Sequence, residues 1–238
     1  MGEEANHKID YKDILILLGL WYFIFLANIL LRQFAFAHSP FLTDLFQHLF
    51  LVAGRFLYAT LFIFYLVYFY AITYCELGFK FFPLKPKLKA AVFTLLPLAT
   101  GAILLINIPL SFNALSPDFQ PLYRLESPEI FINSLFPLTL LFFSNIIVAG
   151  SEQLILNTLL FSCLKSRISV FLATAVSSLI YALLVPSREV TAILLRFMVG
   201  IISIYLYRKA KASIITPTLF QSGFYSLYIV YIYGWTII

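Results

Sequence analysis

Seven apolar runs, each long enough to cross a lipid bilayer, leave this chain almost no fold except a bundle of membrane helices. They lie at about 14–32, 49–74, 88–111, 130–164, 167–187, 190–207 and 212–238. A helix needs about 20 apolar residues to span the hydrocarbon core. Backbone N–H and C=O groups find no water there, so each segment must bond within itself, as a helix does. The alternating strand pattern of a membrane β-barrel is absent from the sequence. Hydrophobic residues make up 62% of the chain and charged ones 11%, against about 25% charged in a soluble domain. A water-soluble globule of this size cannot bury that much apolar surface. The fold class is therefore all-α, a polytopic helical membrane protein.

The loops set the expected sidedness. With seven crossings, Lys8, Lys12, Lys80, Lys85, Lys87, Lys89, Lys165, Arg167, Arg208, Lys209 and Lys211 share one side, and Arg32, Arg124 and Arg188 the other. Basic residues gather on the cytoplasmic side, which places the N-terminus in the cytoplasm and the C-terminus outside, in a plasma or cell inner membrane. The fourth run is awkward. As one helix it would be about 52 Å long, against a core of about 30 Å. A turn at Gly150-Ser151 would divide it and give eight spans, but it would also erase the charge bias. Seven crossings are expected, with the fourth helix tilted, kinked or projecting.

The organisation is otherwise simple. Residues 1–13 form a polar N-terminal tail, and 14–238 a single helical membrane domain. The first apolar run is long enough to be retained as a span rather than cleaved as a signal peptide. Phe81 to Lys87, with Pro83 and Pro86, reads as a proline-broken basic loop, and 113–129 as the main extracytoplasmic loop. The net charge of +5 comes from short inter-helix loops, which argues against nucleic-acid binding. Cys75 and Cys163 have neither disulfide-scaffold nor zinc-knuckle spacing.

Three charges fall inside apolar runs: Arg55, Glu152 and Arg196. Ionisable groups at such depth face the bundle interior and find partners. Counting about 1.5 Å per residue puts all three at one level. An intramembrane polar cluster of Arg55, Glu152, Arg196 and Gln221 is expected, with a Glu152–Arg196 ion pair as its centre. It would either fix helix register or line a ligand cavity. Asn145, Asn157, Ser177 and Ser178 could extend it, or serve as interhelical glue.

From about 130 to 225 the chain reads Ser151-Glu152-Gln153-Leu154-Ile155-Leu156, then Tyr181-Ala182-Leu183-Leu184-Val185. Next come Phe197-Met198-Val199-Gly200, the basic turn Tyr207-Arg208-Lys209, and Ser213-Ile214-Ile215-Thr216-Pro217 followed by Gln221 and Tyr225. This order resembles the CPBP family, the CAAX-protease-like or Abi intramembrane metallopeptidases. The resemblance implies a glutamate pair followed by arginine, then Phe-x-x-x-His, then His-x-x-x-Asn, together holding a metal-bound water. At the matching positions stand Ser151, Glu152, Leu156, Val185, Gln221 and Tyr225, so only the second glutamate remains.

The chain's histidines are His7, His38 and His48, all before the region of resemblance. On the expected topology His38 and His48 lie at the outer rim, about 12 Å in depth from Glu152, whereas zinc ligands sit at about 2 Å. No serine has a placed histidine as base, and every lysine is expected in a loop or tail, whereas a Ser–Lys pair needs a buried one. Phosphate-loop motifs are missing too. The sequence thus points to a catalytically inactive relative of the family, without a cofactor, acting as a scaffold or as a binder of a membrane protein, lipid or peptide ligand. The alternatives are an active intramembrane metalloprotease with altered ligands, which would require zinc, and a transporter or channel subunit.

Overall fold

A computed structural model of the chain describes residues 11–35, 40–80, 83–94, 135–184 and 190–234. Helix α1 is Tyr11–Ala35, α2 is Pro40–Tyr70 and α3 is 84–94. Helix α4 is Leu135–Gln153, which runs on through a π-helical stretch, Leu154–Phe161, and a last α-turn, Ser162–Lys165. Helices α5, α6 and α7 are Val170–Leu184, Val190–Lys209 and Ile215–Gly234. No strand occurs among the described residues. The 113–129 loop, Arg124, Arg188, His7, His38 and Val185, and the side chains of Arg32 and His48, lie outside the description.

The long fourth run is not divided at Gly150-Ser151, because the helix passes through both residues. Its irregularity comes later, where i→i+5 bonding replaces the α pattern. The Ser162 N–H reaches the carbonyl of Asn157, and the Ser162 hydroxyl caps the same carbonyl at 2.8 Å. Every residue from Ser151 to Cys163 is buried, so this segment is enclosed on all faces. It packs against α2, α5, α6 and α7, and α1 closes on α2. The expected loop from Phe81 to Lys87 is shorter than the sequence suggests. Lys85 and Lys87 already belong to the first turns of α3, where Pro86 is tolerated because the first N–H groups of a helix lack intrahelical partners.

Burial on α2 is inverted relative to a soluble helix. Arg55, Tyr58, Phe62 and Leu66 form the inward stripe at three- and four-residue spacing. Phe56, Leu57, Leu61, Phe64, Tyr68 and Phe69 face outward. Water would reject that arrangement, while hydrocarbon favours it. Two described helical segments, Val52–Tyr70 and Phe143–Lys165, are long and apolar enough to cross a membrane by length and composition.

Two termini show how local chemistry ends the helices. At the end of α6, Lys211 and Ala212 take left-handed conformations, with φ 55° and 58°. The Ala212 N–H bonds Tyr207 O at 2.9 Å and the Lys211 N–H bonds Arg208 O at 3.1 Å, a Schellman closure made without glycine. After α2, Thr73 and Glu76 exchange backbone and side-chain bonds in a capping box. The resulting turn delivers Gly78, at φ 94°, to the start of α7, where its carbonyl accepts the Ile214 N–H at 3.0 Å.

Helices α5 and α6 meet at Gly200. A Cβ placed there would stand 3.0 Å from Ser178 Cβ and 3.1 Å from Ser178 Cα. Since a Cα cannot rotate away, Gly200→Ala should force the helices apart and cost about 1–3 kcal/mol, as overpacking does. A denaturant titration in detergent would read this as a lowered midpoint. Gly19→Ala, at an exposed position of α1 with nothing within 4 Å, should be neutral or slightly stabilising. Equal effects at the two positions would rule out the close approach.

Candidate functional site: a carboxylate held by hydroxyls and amides

The end of α4 places Glu152 and Gln153 at the centre of the bundle, 2% and 0% exposed. A carboxylate in such a place needs donors, because an unsolvated charge is costly. Three side chains supply them. The Tyr181 hydroxyl, from the last turn of α5, donates to Glu152 Oε2 at 2.7 Å, and the Tyr225 hydroxyl, from α7, does so at 2.7 Å. Gln221 Nε2 donates to the same oxygen. Gln221 and Tyr225 stand four residues apart on one face of α7, and their side chains touch at 2.7 Å. The two tyrosine oxygens are 3.0 Å apart, and Gln221 Nε2 lies 2.6 Å from that of Tyr181.

The carboxylate fixes the orientation of a line of amides. Glu152 Oε2 accepts, and Gln221 presents its NH2 group to it. The Gln221 carbonyl is then left to accept from Gln153 Nε2, which also lies 3.2 Å from Ser203 Oγ on α6. The Gln153 carbonyl in turn accepts from Asn157 Nδ2. The line ends at Asn157 Oδ1, a buried acceptor with no hydrogen-bond partner among the described residues.

Arg55, Glu152, Arg196 and Gln221, the residues of the expected cluster, are all buried. Arg55, 1% exposed, lies within electrostatic reach of Glu152 and of the Tyr58, Tyr181 and Tyr225 hydroxyls. Its guanidinium carbon is 3.4 Å from the centroid of the Trp21 ring on α1, and Trp21 meets Tyr58 edge-on at 5.0 Å. Arg196 is buried and acts on the Tyr225 hydroxyl. The contacts of Glu152 seen here include two hydroxyls and an amide, which the sequence did not suggest.

Among the other sequence candidates, Ser151 turns back on its own helix, its hydroxyl donating to Val148 O at 2.7 Å, and Leu156 is fully buried in the apolar core. Val185 lies outside the described residues. Asn145 bonds Ser226 at 3.0 Å and takes no part in the Glu152 network. Ser178 lies at the α5–α6 contact and Ser177 is buried beside it in the chain, both hydroxyls unpartnered among the described residues. Sequence reasoning left out Gln153, Ser203, Trp21 and Tyr58 and assigned no role to Tyr181. A signal existed for Gln153, which sits four residues before Asn157 on the same helix face.

The fold and this centre define a class: a membrane-embedded helical bundle organised around one buried acid. Residues 134–227 match the family model described as Rce1-like, type II CAAX prenyl endopeptidase. That segment is a CPBP family domain, and the chain is a membrane protein by this likeness and by its apolar helices. Among curated proteins and solved structures no match was found.

The metal site implied by the family does not fit these residues. Zinc takes lone pairs from imidazole, thiolate and carboxylate. Around Glu152 the neighbours are two phenols and an amide nitrogen, and their hydrogens converge on one carboxylate oxygen. Gln221 turns N–H, rather than a lone pair, into the centre. No group of three or more His, Cys, Asp and Glu side chains with metal-site geometry occurs among the described residues.

Removing the hub should cost more than removing a spoke. Glu152→Ala would leave two hydroxyls and an amide without their acceptor and is expected to destabilise by about 2–4 kcal/mol. Tyr181→Phe and Tyr225→Phe should each cost about 1–2 kcal/mol, with a double-mutant coupling of at least about 0.5 kcal/mol. Unfolding titrations of the four variants in detergent would check this. Strict additivity of the tyrosine pair would contradict a shared acceptor.

Proposed function

We propose that this membrane protein is a non-catalytic member of the family, in which a hydrogen-bonded polar centre has taken the place of a metal centre. The fold then serves as a scaffold that holds a partner membrane protein, or a lipid or peptide ligand. One observation carries the reading: Oε2 of the carboxylate at the family's glutamate position accepts from three internal donors. A catalytic carboxylate has to keep its oxygens available for water, metal or substrate. Two of the donors, Gln221 and Tyr225, stand where the resemblance puts histidine and asparagine, so the replacements work together. Seven crossings with a cytoplasmic N-terminus accompany this proposal, on the strength of the loop charges and the undivided fourth helix.

The test combines metal analysis with a cleavage assay on the purified full chain. We expect well below one zinc per chain and no cleavage of a prenylated CAAX-type peptide, with the folded fraction of Glu152→Ala giving the same two readings as the parent. Stoichiometric zinc together with cleavage, both lost in Glu152→Ala, would establish the active-protease alternative instead.

A further inference from the structure

Two basic segments more than a hundred residues apart are fastened together at one end of the bundle. The Ile214 N–H bonds Gly78 O at 3.0 Å, Lys80 Nζ bonds Lys211 O at 2.9 Å, and Ser213 Oγ bonds Lys80 O at 3.1 Å. This joins Lys80 to Lys211, with Lys85 and Lys89 following on α3 and Arg208 and Lys209 preceding at the end of α6, six cations drawn from the two fastened segments. None of these six cations forms an ion pair with a carboxylate among the described residues. Lys80 spends its ammonium on a neutral backbone carbonyl, which leaves its charge uncompensated. Lys87 sits beside it, largely buried, and that burial together with the charge of Lys80 lowers its ammonium pKa.

Apolar groups border the patch. Lys89 Nζ is 5.7 Å from the ring centroid of Phe93 and Lys209 Nζ 5.6 Å from that of Tyr205, and both rings are exposed. Leu84, Leu88 and Val92 on α3 are exposed as well. A soluble anion has no use for this margin. An amphiphile with a negative head and apolar tails matches both parts, and exposed aromatics beside cations are typical of the headgroup level of a bilayer.

From this juxtaposition we infer that the fastened patch is a binding site for the phosphate of an anionic phospholipid headgroup. It requires the membrane reading of the chain but is independent of what Glu152 does. The site is discontinuous in sequence and exists only while the 78–80 and 211–214 backbones are joined.

The test uses the full chain in zwitterionic detergent, with dioctanoyl phosphatidylglycerol as probe and native mass spectrometry as readout. Saturable binding of phosphatidylglycerol is expected, with dioctanoyl phosphatidylcholine and glycerol phosphate failing to compete. Neutralisation in the Lys80→Gln/Lys211→Gln double variant should weaken binding about fivefold per lysine, whereas Lys80→Arg/Lys211→Arg should retain it. If the neutral double variant does not fold, Lys85→Gln/Lys89→Gln, which leaves the fastening bonds intact, carries the same expectation. Equal affinity for phosphatidylcholine would overturn the proposal, as would competition by glycerol phosphate or undiminished binding after neutralisation.

Discussion

The polar interior of this protein is organised by one carboxyl group, that of Glu152, in a medium that solvates it poorly. Glu152 lies where water would normally be needed, and the bundle supplies substitutes from three directions: α5 through Tyr181, and α7 through Gln221 and Tyr225. Because Glu152 Oε2 accepts from Gln221, the orientation of Gln221 is set, then that of Gln153, then that of Asn157. Helices α4, α5, α6 and α7 are thereby held in one register by polar contacts. That matters in lipid, where the hydrophobic effect does little to draw helices together. Arg55 places a positive charge within reach of the same acid, and the Trp21 face lies against the Arg55 guanidinium.

Much of the architecture was legible because hydrocarbon simplifies the choice. Long apolar runs become helices, and inserted charges turn inward, as Arg55, Glu152 and Arg196 do. The finer features depended on geometry between helices. Nothing in the local sequence around Leu154–Phe161 announces a π-helical stretch, since its residues are ordinary helix formers. Likewise the loop at Pro83 and Pro86 looked longer than it is, because proline within a first turn carries the same signal as proline in a loop.

The candidate centre was legible in its parts more than in its pairing. Glu152, Gln221 and Tyr225 emerged from the resemblance, and the structure gathers all three on one oxygen. Opposite charge suggested Arg196 as a partner of Glu152, but nothing in the sequence announced the two hydroxyls and the amide that meet its Oε2. In a crowded interior, distance and orientation decide which donor arrives, and a helical depth estimate supplies neither. Trp21 and Tyr58 were out of reach for the same reason, since their roles arise from how α1 and α2 cross.

The bond between Gly78 O and Ile214 N–H has a consequence for what counts as a unit of this molecule. Together with Thr158 Oγ1 donating to Leu77 O at 3.2 Å, it ties the family-matched segment to backbone that precedes the match. Arg55, which answers the central acid, also comes from that earlier part. The border drawn by sequence kinship therefore cuts through a mechanically continuous body, and ancestry and cooperativity partition this chain at different places.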